Sequence, residues 1–142
     1  MADLVQTAAN VQVGSQTIRT RLVRYGEAVT QGMPLYKSGS DSKYYQSDAS
    51  AEATAKCEAI ALTPGSADDY GVIALPASEP DFALVDIGAT LTVGEPYAVS
   101  ATKGAIAPVG DLLSTEWVCI IGVAKTASLL DFQVITPSAA KA

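Results

Sequence analysis

A chain of 142 residues with formal net charge −6 and no histidine is long enough for one domain with its own core, and its acidic surface repels nucleic acid. Without imidazole, the commonest general base, the Ser-His-Asp triad and most zinc sites are excluded together. Much of the 49% apolar fraction is alanine, so oligomerisation or docking is expected to supplement the core; no apolar run reaches the roughly eighteen residues that suggest a membrane span.

Charge is distributed unevenly. The first 26 residues carry three basic side chains against one acidic, and the remainder six against fourteen. Residues 1–16 are small and polar with isolated valines, a composition expected to order only against a partner. They lack the basic and apolar regions of a signal peptide, so synthesis in a reducing cytoplasm is expected. Thr17–Tyr25 alternates, with Ile18, Thr20 and Leu22 on one parity and Arg19, Arg21 and Val23 on the other; this predicts a strand with a basic face, ended by Gly26.

Val29 leads into a turn at Gln31–Gly32. The strands PLYK and KYYQ then flank the turn signal SGSDS, so Tyr36 is expected beside Tyr44 or Tyr45 across a hairpin. Residues 50–62 are alanine-rich and free of glycine, which predicts the one helix. Asp48 or Ser50 would cap it, Glu52 and Lys56 would pair along it, and Ala53, Cys57, Ile60 and Ala61 would form its apolar side.

Further strands are expected in YGVIALPAS, FALVDI and ATLTV, and in a hairpin of PYAVSAT and GAIAPVG turning at Lys103–Gly104. Two more, within residues 116–136, would join near Lys125–Ser128. The sum is mainly β: a small closed or nearly closed barrel or sandwich of eight to ten short strands with one short helix and an extended N-terminal arm. The expected division is an arm at 1–24, a body at 25–136 and a soft tail at 137–142.

Chemistry is sparsely written. Asp68–Asp69 and Glu79/Asp81 fit solvated turn charges, with a weak cation site or a catalytic pair as alternatives. Cys57 and Cys119 lie in apolar settings that suit buried free thiols, a disulfide being the other choice. The glycines punctuate hairpins and form no phosphate-binding motif. No catalytic residue, metal ligand or cofactor site is assigned. Trp117 is expected in the core. Six tyrosines against two phenylalanines favour rings with a wet edge, suited to protein contacts or partial burial or, alternatively, to stacking a sugar. Arg19, Arg21 and Arg24 fit either a solvated strand face or guanidinium forks to carboxylates of a neighbouring subunit.

The run GEAVTQGMPLYKSGSDSKYYQSDAS, then AIALTPGSADDYGVIAL, then LTVGEPYAVSATKGAIAPVGDLLSTEWVCIIGVAKTASLLDFQV resembles the capsid decoration (cement) proteins of tailed phages. The similarity covers residues 26–135 and is most specific at Gly94–Gly110 and Trp117–Ala124. It implies a non-enzymatic virion protein on the outer surface of the phage capsid. Such a protein would bind the major capsid protein and stabilise its lattice, be a homotrimer, and bind neither nucleic acid nor membrane. Alternatives are a tail, baseplate or head-fibre component, or a glycan-binding module. Under this resemblance the capsid contact falls to Leu4, Val5, Val11, Val13, Arg19, Arg21, Arg24 and Tyr25, with Tyr36, Tyr44 and Tyr45 as oligomer or surface aromatic contacts.

Overall fold

The computed structural model describes residues 3–14, 18–77 and 83–135. Eleven strands are formed among them: β1 (Gln12–Val13), β2 (Arg19–Arg24), β3 (Pro34–Lys37), β4 (Tyr44–Gln46), β5 (Ala59–Ala61), β6 (Tyr70–Leu75), β7 (Leu84–Asp86), β8 (Pro96–Val99), β9 (Ile106–Pro108), β10 (Ile120–Ala124) and β11 (Leu129–Ile135). They build two antiparallel sheets. One is six-stranded, in the order β1-β7-β11-β10-β8-β9; the other is five-stranded, in the order β2-β6-β5-β3-β4. The mainly-β expectation holds.

The five-stranded sheet curls on itself. A parallel bridge joins Tyr25, just past β2, to Tyr44 on β4, and the Gly26 N–H donates to the Tyr44 carbonyl at 2.9 Å. Its concave side encloses a small core of Val23, Tyr25, Val29, Leu35, Tyr44, Ala59, Ala61 and Ile73. The larger core lies on its convex side, where Ile60, Cys57 and Ala55 meet Val85, Ile87, Tyr97, Val99, Ile121, Leu130 and Phe132. β5 therefore buries both faces. Successive side chains of a strand point to opposite sides, so Ile60 joins the larger core while Ala59 and Ala61 line the small one. Tyr25 fills much of that interior, with its ring against Gly65 and Gly71; a methyl group at either glycine would collide with it.

This two-sided burial overrides the local preference of residues 50–62. The helix is present but short, at Glu52–Ala55 (α1), and the chain is already a strand by Ala59. One turn of helix gains too little to propagate, whereas the extended AIA segment pairs with β3 and β6 and buries all three residues. Neither expected cap accepts from a backbone N–H of the helix. Ala51 is its N-cap residue, while the Asp48 carboxylate accepts from the Ser50 N–H at 3.0 Å and the Thr54 hydroxyl at 3.2 Å, tying the loop instead. The Glu52–Lys56 pair does form, at 3.6 Å.

The β3–β4 hairpin forms as expected around SGSDS. The Ser38 N–H donates to the Lys43 carbonyl at 2.9 Å, and the register sets Tyr36 opposite Tyr45. The β8–β9 and β10–β11 hairpins also form. ATLTV, by contrast, is no strand. Positive φ at Gly88 (+78°) and Gly94 (+84°) bends the chain out of any ladder, and Leu91 is buried in a loop with its N–H on the Ala127 carbonyl at 2.8 Å. Trp117 packs on the larger core from its rim, half-buried, with its N–H on the Ala49 carbonyl at 2.8 Å.

The described part of the leading segment is laid along the body. The Leu4 N–H donates to the Ile106 carbonyl at 2.8 Å, the Thr7 N–H to the Gly88 carbonyl at 2.6 Å, and β1 pairs with β7 as an edge of the six-stranded sheet. Val11 is buried and Leu4 packs on the larger core. Packing thus runs on across residue 24, because β2 belongs to the five-stranded sheet. The tail at 137–142 lies outside the described residues. Gln6 acts as a strut: its side-chain amide donates to the Gly32 carbonyl and to the Ile87 carbonyl, each at 2.9 Å.

Replacing Gln6 by Ala is expected to cost about 1–2 kcal/mol in denaturant unfolding, because two carbonyls lose their donor. Gln6→Glu, which sets a carboxylate against those carbonyls, should cost more. Equal stability of wild type and Gln6→Ala would contradict the strut.

Candidate interaction surface

The residues singled out in sequence are separated into three environments. Val11, Tyr25 and Tyr44 are buried, and Leu4 is half-buried against the core. The Tyr25 hydroxyl donates to the Thr63 carbonyl at 2.7 Å, and burial pushes its pKa up. These side chains hold the body together. Val5, by contrast, is 88% exposed and Val13 is also open, although the backbone on either side of Val5 is fastened at Leu4 and Thr7.

The arginines fall on two faces of β2. Arg21 points to the concave side of the curl, where its guanidinium reaches the Tyr44 hydroxyl. Arg19 shares that parity and donates to the Pro76 carbonyl at 3.0 Å. Arg24 lies on the convex side with Leu22. Its guanidinium carbon stands 5.3 Å from the centre of the Tyr70 ring, and its Nε donates to the Asp68 carbonyl at 3.0 Å. Leu22 and Tyr70 are each 65% exposed and lie on the same face of the β2–β6 ladder. This patch of Leu22, Tyr70 and Arg24 went unread in the sequence. The parity of TIRTRLVRY places Leu22 opposite Arg21, but only the pairing of β2 with β6 brings Tyr70 beside it.

Tyr36 and Tyr45 stack with ring centres 5.9 Å apart, on the outer side of the curl. The Tyr45 hydroxyl donates to Asp41 Oδ2 at 2.5 Å, and this bond to a carboxylate pushes the phenol up to about 12. The same bond, with the Lys43 N–H, holds Asp41 below the usual carboxylate range. Asp68 is also lowered, chiefly by Lys43, whose Nζ lies 2.5 Å from Asp68 Oδ1. Asp69 accepts from the Ser66 N–H within its own turn, so the two carboxylates are engaged separately, Asp68 by Lys43 and Asp69 by the backbone; Glu79 and Asp81 lie outside the described residues.

Cys57 and Cys119 are buried free thiols in the larger core. Burial raises both pKa values, and the Cys57 thiol donates to the Ala59 carbonyl at 3.3 Å. Among the described residues no group of three or more His, Cys, Asp or Glu side chains could hold a metal ion, and no helix is long and apolar enough to cross a membrane. Open surface hollows include one of about 490 Å³ beside Val29, Met33 and Gly65, and a polar one of about 360 Å³ among Thr7, Asn10, Gln12, Asp86 and Thr90. Comparison of the chain with protein-family models, curated proteins and solved structures finds no match.

The Tyr45–Asp41 bond has a pH signature. The raised phenol contributes stability that is complete below its unfolded value near 10 and is lost as pH rises through about 12. The lowered carboxylate contributes above its unfolded value near 3.9 and loses that contribution as pH falls through its folded value. In an alkaline titration followed at the Tyr45 ring carbon by NMR, Asp41→Asn should lower the midpoint by about one unit or more. An unchanged midpoint would assign the shift to something other than Asp41.

Proposed function

We propose that this chain is a virion structural protein of the capsid decoration type, acting by binding and not by catalysis. In this reading it sits on the outer surface of a phage capsid, grips the major capsid protein and stabilises the lattice by bridging subunits. A homotrimer would fit the role, as would assembly from host cytoplasm. The resemblance read from Gly94–Gly110 and Trp117–Ala124 supports it. Those residues include β8, β9 and β10, which are neighbours in one sheet and so form one piece of the body.

The observation that carries the proposal is the presentation of Val5. Its neighbours are bonded to Ile106 and Gly88, so an almost fully exposed valine is held at a fixed place on the surface. A contact that is already ordered loses little conformational entropy on docking. Selectivity for an assembled lattice then comes from bridging: a clamp that touches two subunits at once binds well only where both are in register. Each clamp can be weak, because many act in parallel and all bind only the assembled state.

Val5→Asp tests this without disturbing the core, since the side chain lies outside it. The variant should melt like wild type yet occupy decoration-free capsids at least about tenfold less at equal concentration, read by gel densitometry of purified particles. Undiminished occupancy, or wild-type protein found only in tails, would overturn the proposal.

A further inference from the structure

The five-stranded sheet keeps one strand edge without a partner among the described residues, and its orientation follows from the hydrogen bonds. The Leu62 N–H donates to the Val72 carbonyl and the Val72 N–H to Thr63 Oγ1, each at 2.9 Å, so the backbone of Val72 faces β5. Its neighbours Gly71 and Ile73 therefore turn theirs to β2, where the register pairs them with Val23 and Arg21. The Tyr25 N–H on the Asp69 carbonyl continues the same parity. Odd-numbered residues of β2 thus bond β6. The N–H and C=O groups of Thr20 and Leu22 point outward, and the Tyr25–Tyr44 bridge closes the edge only beyond them.

We infer that this edge is a docking site for an extended acidic segment of another protein, which adds to the sheet beside Arg19–Val23. Three features select that occupant. The open backbone groups of Thr20 and Leu22 supply the ladder bonds of strand addition. Among the described residues the close ion pairs are all made by lysines, and Arg21 and Arg24 enter none, although Arg24 feels the charge of nearby Asp68. Opposite the Arg19/Arg21 parity, carboxylates are favoured across the strands; opposite Leu22, on the other face, an apolar residue is. The fitting sequence alternates acidic and apolar residues with the strand period of two.

The same strand works against self-pairing. Outward groups must pair with outward groups, so a two-fold antiparallel dimer sets odd residues against odd ones. Arg21 then falls opposite Arg21 or Arg19 of the second copy, or diagonal to its own counterpart. Like charges at these positions are destabilising. The edge is thus closed to its own kind and open to an acidic strand.

This inference does not rest on the capsid reading, and its test is separate from particle occupancy. The full chain, labelled with nitrogen-15, is titrated with a capped synthetic peptide alternating Glu and Val, and with a second alternating Lys and Val. The Glu–Val peptide should bind at least about tenfold more tightly, with amide shifts centred on Thr20 and Leu22. Arg21→Glu, a change at an exposed side chain with its fold checked by the amide spectrum, should reverse the preference toward the Lys–Val peptide. Failure of the Glu–Val peptide to bind, equal affinity for both peptides, shifts centred elsewhere, or dimerisation of the chain through β2 would each overturn it.

Discussion

The architecture depends on the two-sided burial of three residues, Ala59, Ile60 and Ala61. Only an extended strand sends Ile60 to one side and its alanine neighbours to the other, so β5 is the shared wall of two cores. Alanine fits there because the concave space is already filled by the large rings of Tyr25 and Tyr44. Glycine at positions 65 and 71 extends the same accommodation around Tyr25. Ala59 and Ala61 thus mark places where a tyrosine needs room, not places where a helix is wanted.

Once β5 fixes the curl, the outer surface is sorted. The leading segment binds the six-stranded sheet from Ile106 to the β7 edge, and Gln6 ties it to the Gly32 loop of the other half. Val11 and Leu4 pack with the core while Val5 is turned outward. Among the described residues, β2 has its outer edge open beside the Leu22–Tyr70–Arg24 patch. An acidic body therefore presents two ordered, dissimilar surfaces: an apolar point on the leader and a basic strand edge. That pairing suits a protein whose task is to hold neighbours.

Legibility in the sequence followed the range of the forces. SGSDS between PLYK and KYYQ is a local turn with its own hydrogen bonds, so the hairpin and the Tyr36–Tyr45 contact could be read directly. Alternation in residues 17–25 likewise identified β2 and the shared face of Arg19 and Arg21, whereas Arg24, read as part of the same basic face, lies on the other one beside Tyr70. Where distant residues decide, local reading failed. Residues 50–62 look helical because alanine, glutamate and lysine favour helix, yet burial from both sides makes 59–61 a strand. ATLTV alternates cleanly, but the positive φ at its flanking glycines leaves it in a loop. The polar leader looked like a free arm, because side-chain composition says nothing of the backbone acceptors at Ile106 and Gly88 that fasten it. Tyr25 and Tyr44, read as contact rings or partly buried ones, are interior.

The central claim is that the leader is built into the body while β2 keeps an open edge. Amide hydrogen exchange on the free full-length chain reads both halves at once. Slow exchange at Leu4 and Thr7, together with fast exchange at Thr20 and Leu22 and slow exchange at Val23, is the pattern this account predicts. Fast exchange throughout the leader, or protection of Thr20 and Leu22 equal to that of Val23, would contradict it.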